Sequence, residues 1–422
     1  MQSYNKGMQT DVAILDFSKA FDTVPHDKLL RKLSGYGIHG PLLDWLSNFL
    51  SDRTMRVLCE GAQSSDAHVE SGVPQGTILG PLLFLCHIND LPECVTSKVR
   101  LFADDCLLYR PIRSESDHIA LQEDLVALEN WAETWGMRFN AKKCYIMHIS
   151  PKRHKSAHMY SLSGHILESV SDNPYLGLQI SDDLKWNKHI RNTVNKASIT
   201  LGMLRLNLIF LPKTLKSTAY ISLVRSILEY GSIVWDPYIQ QDIQCIERIQ
   251  KRAARFIISD HRTCSQGFMT KTLHDIGLPP LHERRLFNRL SFFYKIANGL
   301  VPALQHENRL TQSDNKRRIK PAQFTGYIST NPVAKGSQNN SKCFKNIDSN
   351  CIQYRNSFFF SRTIIDWSAL DNSILCEPNI NSFKARLKTR MFDLKVARTS
   401  PPDLLMPCWD SMSYWYRYRY VR

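Results

Sequence analysis

Apolar positions in the first part of the chain come in short blocks whose spacing changes from block to block. Val12 to Leu15 is a continuous apolar run with the length and residue types of a buried strand, and it ends on a charge, Asp16. Past a turn, Pro25 opens an amphipathic helix in which Leu29, Leu30 and Leu33 share one side. GPLLDWLSNFL reads as a second helix, and a hairpin is expected near RVLCEGAQSSDAHVE. Gly72, Pro74, Gly76 and Gly80 then mark a loop that opens into an apolar helix from about Ile78 to Ile88, with glycine letting the backbone approach a ligand closely. In LFADDCLLYR, residues 101 to 110, apolar residues flank the adjacent carboxylates Asp104 and Asp105, which predicts strand, two-residue acidic turn, strand. Leu121, Leu125, Leu128 and Trp135 recur at helical spacing over 117 to 135, and Gly136 closes that helix.

Beyond residue 188 the pattern is helical. Ile190, Val194, Ala197, Leu201, Leu204 and Leu208 alternate steps of four and three. A further helix is expected over LKSTAYISLVRSILEYG, ending near Gly231. In DIQCIERIQKRAARFIIS, Ile243, Ile246 and Ile257 oppose a face carrying Arg248, Lys251, Arg252 and Arg255. That face is a candidate clamp for phosphates, with a solvated charged face as the rival explanation. Leu281 to Asn298, with Arg284, Arg285 and Arg289, reads as another basic helix. Residues 306 to 345 are polar and include the cluster KRRIK at 316 to 320, as expected of a flexible linker. A short helical patch at 383 to 396 precedes the closing SYWYRYRYVR, whose aromatic and arginine residues could stack on bases, although a disordered tail is the simpler expectation.

Composition narrows the class. With 422 residues, 43% hydrophobic and 22% charged, the chain is long enough for two or three globular domains. No apolar run approaches the ~20 residues a membrane span requires, and the amino terminus lacks a signal-peptide core, so no membrane partner is expected and an intracellular location, nuclear and cytoplasmic, is. Eleven cysteines without any C-x-x-C speak against a zinc site or a disulfide framework. Residues 1 to 150 carry 14 Lys and Arg against 19 Asp and Glu, whereas residues 151 to 422 carry 40 against 20. An acidic first part joined to a basic second part suggests a carboxylate site that manages metals beside a surface that holds a polyanion, with nucleic acid the leading partner.

The acidic turn by itself is most often a solvated hairpin tip. A second carboxylate at the end of a separate strand changes that, because Asp16 and Asp104 together could bridge two Mg²⁺ ions ~3.5–4 Å apart, an arrangement suited to in-line phosphoryl transfer. For Asp22, in the turn after the strand, a capping or hydrogen-bonding role is at least as well supported as catalysis.

LDFSKAFDTVPHDKLL, SGVPQGTILGPLLFLCHINDLP and LFADDCLLY, in that order, resemble motifs A, B and C of the reverse transcriptase of a non-long-terminal-repeat (non-LTR, LINE-type, jockey-like) retrotransposon. WGMRFNAKKCYIMHIS resembles motif D, and NPYLGLQISDDLKWNKHI a following hairpin that grips the primer. The resemblance implies an α+β right-hand polymerase palm with an antiparallel sheet over residues 1 to 186, partial fingers included. A helical thumb and basic helices would follow over 187 to 300, then a polar linker over 301 to 345 and a small, partly disordered basic region over 346 to 422. It implies that Asp16, Asp104 and Asp105 are catalytic and hold two Mg²⁺ ions. Phe21 matches the gate that excludes a ribose 2′-hydroxyl, Gln75 and Gly76 match the loop that contacts the incoming nucleotide and template, and Lys143 would protonate the departing pyrophosphate. RNA template, DNA primer and deoxynucleoside triphosphates are the implied partners.

The sequence also departs from the family pattern. Only fifteen residues precede Asp16, so the upstream endonuclease and most of the fingers are expected to be missing, and the zinc knuckle of some relatives is not found. Two readings stay open: an RNA-directed DNA polymerase, and a catalytically inactive truncated remnant that only binds nucleic acid.

Overall fold

The computed structural model describes residues 2–152, 154–302, 344 and 358–393. Most of the polar segment 301 to 345 with its KRRIK cluster, the end of the 383 to 396 patch and the closing SYWYRYRYVR lie outside the described residues. The chain forms two compact units, one holding residues up to Tyr175 together with Ile180–Leu184, the other holding Leu176–Gln179 and the described residues from Lys185 onward.

The first unit is built on a mixed five-stranded sheet. Its strands are β1 (Gln9–Leu15), β2 (Lys98–Phe102), β3 (Asp105–Ile112), β4 (Tyr145–Ile149) and β5 (Glu168–Ser169), in the order β5-β4-β1-β3-β2. All neighbours are antiparallel except β5, which runs parallel to β4 and departs from the all-antiparallel expectation. β1 is central, paired along both edges with β3 and β4, so its backbone is hydrogen-bonded on either side. Its burial nonetheless alternates, with Ala13 and Leu15 fully buried and Val12 and Ile14 only partly so. Ala13, Leu15, Cys106, Leu108 and Ile146 share a core with the helices α1 (His26–Gly35), α2 (Pro41–Leu50), α3 (Leu79–Ile88) and α4 (Glu115–Trp135), which contribute Leu29, Leu46, Phe84 and Leu125. α4 ends as its spacing predicts, on Gly136 with φ 74°. The expected hairpin near 56 to 70 is a pair of short ladders, Thr54–Met55 with Ala67–His68 and Leu58–Cys59 with Ala62–Gln63.

One charge just before the apolar run is buried with it. Asp11, on the buried face of β1, is fully enclosed and accepts hydrogen bonds from Tyr160 Oη at 2.7 Å and Gln9 Nε2 at 2.8 Å, with His148 Nδ1 at 2.9 Å. A carboxylate so deep is tolerated only when its lone pairs are met, and here they are. The network crosses from β1 to β4 and to Tyr160, so it pins the central strand in register.

The second unit is helical. α5 (Asn187–Asn207) buries Ile190, Ala197, Leu201 and Leu204, the stripe read from the sequence, with Val194 and Leu208 packed at its edge. α6 begins at Lys213–Ala219, widens into a π-helical stretch over Tyr220–Arg225 and finishes over Ser226–Glu229 before Gly231, whose φ is 61°. α7 (Gln240–Ile258) packs Ile246, Ile249, Ala253 and Ile257 on that core. α8 (Phe268–Asp275) and α9 (Leu281–Ala297) follow, and α10 (Phe359–Ser368) and α11 (Ile380–Lys388) close a separate cluster around Phe293, Tyr294, Trp367 and Phe383.

α9 is not the basic surface that its sequence suggests. Arg285 and Arg289 are buried, Arg285 Nε meeting Asp236 Oδ1 at 2.9 Å and Arg289 Nη2 meeting Asp366 Oδ2 at 2.5 Å, while Arg284 pairs with Glu229. Burial alone would raise the pKa of Asp236, but Arg362, Arg289 and Arg285 prevail and hold it below the usual carboxylate range. These arginines close the unit from within. Among the described residues no helix is long and apolar enough to cross a membrane.

Candidate active site

Strand register assembles the carboxylates. β1 and β3 pair with Leu15 opposite Cys106, so Asp16, one step past the end of β1, comes level with Asp105 at the start of β3. The β2–β3 hairpin closes on the pair Phe102–Asp105, which makes Ala103 and Asp104 its two turn residues. The turn therefore lies one residue earlier than the sequence predicts: Asp104 occupies the tip and Asp105 is already strand. Ala103 has φ 49°, the left-handed conformation such a tight turn demands at a position where glycine is usual.

Asp16 is held through its backbone from the motif D side. Its carbonyl accepts from the Asn140 N–H at 2.8 Å, and its N–H donates to Cys144 Sγ at 3.4 Å. Phe17, next in sequence, stacks on Phe139 with ring centroids 4.3 Å apart. Lys143 ends a short 3₁₀ turn, Ala141–Lys143, with its Nζ 3.9 Å from Asp16 Oδ2. Both side chains stay reachable from solvent, at 69% and 32% exposure, so this pair is loose and available for rearrangement.

The electrostatics of the cluster follow from crowding. Burial raises the pKa of Asp16, Lys143 lowers it and Asp104 raises it, with a net upward shift. Burial, Asp104 and Asp16 all push Asp105 upward. Tyr175 is drawn into the same field, its hydroxyl pushed above the ordinary range by burial and by Asp105. Nothing in the spacing of the sequence pointed to Tyr175 or to Cys144 as neighbours of the carboxylates. Among the described residues no three His, Cys, Asp or Glu side chains close around a single point. The carboxylates are thus near enough to feel one another without forming a complete cage.

The glycine-rich loop packs against the turn that follows Asp16. Val73 N–H donates to Phe21 O at 2.8 Å, Ser71 Oγ donates to Asp22 O at 2.8 Å, and Gln75 Nε2 donates to Asp22 Oδ1 at 2.7 Å. Asp22 is thereby a hydrogen-bonding residue, as its turn position favours. Phe21 stacks on the buried Phe84 of α3 at 4.4 Å between centroids. Gly72 is needed because a Cβ there would come within 2.8 Å of the Asp22 backbone, and Gly80 because a Cβ would meet Pro74 O at 2.2 Å. Two of the loop's glycines thus serve close approach to the protein's own backbone, where the sequence reading had them serve a ligand. Gly76, with φ 76°, and Gln75 are exposed, with open space around Gly76.

The four basic residues of α7 divide. Arg248 is exposed, Arg252 Nη1 donates to Ser198 Oγ at 2.9 Å, and Lys251 and Arg255 border a cavity against α8. They lie in the second unit, whereas all residues of the carboxylate cluster lie in the first.

A family model described as reverse transcriptase (RNA-dependent DNA polymerase) matches residues 2–180. The probable RNA-directed DNA polymerase from transposon BS of Drosophila melanogaster is 28% identical over 329 residues, 72% of this chain and 35% of that protein. The RNA-directed DNA polymerase from mobile element jockey of the same species is 30% identical over 260 residues, 58% of this chain and 28% of that protein. The chain spans about a third of the length of these curated relatives. A solved telomerase from Candida albicans in complex with a fragment of telomeric RNA is 13% identical, covers 74% of this chain and 54% of that one, and has a TM-score of 0.35, too slight a likeness to carry an argument.

Proposed function

We propose that residues 2–180, which the reverse transcriptase family model matches, are a reverse transcriptase domain of the kind carried by non-LTR retrotransposons, and that this chain extends a primer 3′-hydroxyl with deoxynucleotides on an RNA template. On this reading the five-stranded sheet is the palm of a right-hand polymerase and the helices from α5 onward supply the thumb and its basic surface. The observation that carries the reading is the convergence of Asp16, Asp104 and Asp105 at one end of paired strands, with the pKa values of Asp16 and Asp105 raised in part by their carboxylate neighbours. Repulsion of that kind is a standing demand for a cation.

The donor set fits Mg²⁺. The ligands would be hard carboxylate oxygens, and Mg²⁺ keeps water and substrate phosphates among its ligands, so it needs no closed protein cage. Two such ions, held by Asp16, Asp104 and Asp105, would lower the pKa of the primer hydroxyl and neutralise charge on the triphosphate. The new bond joins the primer oxygen to the α-phosphorus, and the bond to pyrophosphate breaks. Lys143, whose Nζ lies 3.9 Å from Asp16 Oδ2, would give a proton to that leaving group. Phe21, wedged on Phe84, reads the sugar by shape, and Gln75 and Gly76 present an exposed backbone and amide to nucleotide and template. Arg248, Lys251, Arg252 and Arg255 would hold phosphates.

A primer-extension assay on an RNA template tests this. Expected is extension that depends on Mg²⁺ and deoxynucleotides and vanishes in Asp104→Asn and in Asp16→Asn while primer–template binding persists. Activity retained in either variant sinks the assignment of that carboxylate, and binding without any extension by the native chain favours the inactive remnant. Charge reversal at Arg248, Lys251 and Arg255 should weaken RNA and DNA binding alike and reduce the salt slope by ~0.7–0.9 per lost phosphate contact.

A further inference from the structure

We infer that the second unit captures one unpaired nucleotide of a nucleic-acid strand in the cavity between α7 and α8. The inference rests on the nucleic-acid reading above and adds to it a site and a form of ligand. The cavity has a volume of about 210 Å³ and is lined by Lys251 and Arg255 from α7 and by Phe268, Met269, Thr270 and Leu273 from α8. One wall is apolar and aromatic and the other cationic. That combination suits a planar base joined to a phosphate better than it suits either alone.

Three further observations narrow the ligand. The Arg255 guanidinium stands over the Phe268 ring, 5.9 Å from its centroid, which forms a composite of cation and aromatic face of the type on which exposed bases stack. Its Nη1 is shut off from solvent and meets no acceptor among the described residues, so a phosphate or base oxygen reaches this donor once the side chain turns toward the cavity. The first turn of α8, opening at Gly267 with φ 76°, forms part of the lining, so the positive end of the helix dipole also favours an anion. The volume sets the scale: it lies below the ~300 Å³ at which pockets for free small molecules begin, so it admits one base of a strand, with sugar and phosphate at the rim, where a free dinucleotide cofactor does not fit. A paired base cannot enter, because its faces are already stacked and its edge is turned to its partner. The site therefore distinguishes single strands from duplex.

The test compares binding of the full chain to labelled oligouridylate, to oligothymidylate and to a fully paired duplex of equal length. Phe268→Ala should weaken binding of the single strands by roughly 10-fold, the loss of one stacked base, and leave duplex binding unchanged; Phe268→Tyr should restore it. Arg255→Gln should weaken single-strand binding and lower its salt slope by about 0.7. Independently of any variant, a strand carrying 5-iodouridine should photocrosslink to Phe268 in the native chain. Crosslinks that map only elsewhere, or equal loss of duplex and single-strand binding in Phe268→Ala, overturn the inference while leaving the polymerase reading in place. A native chain that binds no strand of either kind overturns both.

Discussion

Gln75 Nε2 donates to Asp22 Oδ1 at 2.7 Å, a side-chain hydrogen bond that ties the glycine-rich loop to the turn that follows β1. With Ser71 and Val73 also bonded to that turn, the exposed Gln75–Gly76 tip is suspended from the same backbone that carries Phe21. Asp22→Ala should therefore raise the KM for deoxynucleotide by about 3–10-fold with a smaller effect on kcat, since about one charge-assisted hydrogen bond is lost and it positions the loop without touching the bond that forms. Gln75→Ala in the Asp22→Ala background should add little. Steady-state kinetics on the four-member cycle check this; fully additive losses would mean that the two residues act separately.

Removal of a carboxylate should stabilise the metal-free fold while it abolishes extension. Asp104 raises the pKa of both Asp16 and Asp105, a sign that the like charges repel. Asp104→Asn is expected to raise the metal-free Tm by about 1–3 °C. A lowered Tm in calorimetry would show that Asp104 has a structural role the geometry does not reveal.

The same shifts predict the sign of a pH dependence. Asp16 and Asp105 bind protons more tightly folded than unfolded, so between the ordinary carboxylate value and their raised values this part of the stability falls as pH rises. In the metal-free native chain, acidification through the raised values toward the ordinary carboxylate value should therefore stabilise it relative to Asp104→Asn. Metal binding runs the other way, because only the ionised carboxylates are ligands: the Tm gain given by Mg²⁺ should shrink as pH falls through the raised values. Parallel melting curves of the two proteins decide, and a constant difference across that range refutes the coupling.

Sugar selection should depend on the stacked pair Phe21–Phe84. Phe21→Val should admit ribonucleotides, with discrimination falling on the order of 10–100-fold, because a smaller side chain leaves room for the 2′-hydroxyl. Unchanged discrimination in competition assays would remove Phe21 from the gate.

Asp236 anchors Arg285, Arg289 and Arg362 inside the second unit, and its loss would leave three buried cations short of a counter-charge. Asp236→Ala should cost about 3–5 kcal/mol of stability in denaturant titration. The folded pKa is held low, so the contribution is present above the ordinary carboxylate value and is lost as pH falls toward the depressed one. A loss under about 1 kcal/mol would show the network to be replaceable.

Local order was legible in the chain itself. The strand before Asp16, the apolar helix ending at Ile88, the long helix closed by Gly136 and the stripe from Ile190 to Leu204 follow from periodicity and from glycine at a left-handed cap, which are properties of neighbouring residues. The grouping of Asp16 with Asp104 and Asp105 was expected from motif order, since separate strands ending in carboxylates have few other uses. Tertiary structure decided what depends on distant partners. The placement of β1 between β3 and β4 sets which residues come level with Asp16, and the register moves the hairpin turn to Ala103 and Asp104. Arg285 and Arg289 look like surface charges in sequence and prove to be interior ones, because Asp236 and Asp366 come from elsewhere in the chain to meet them. Nothing in the sequence singled out Asp11, which is buried beside the apolar run because Tyr160 and His148 meet its carboxylate. Periodicity records whether a position faces inward; only the folded chain supplies the partner that makes a buried charge affordable.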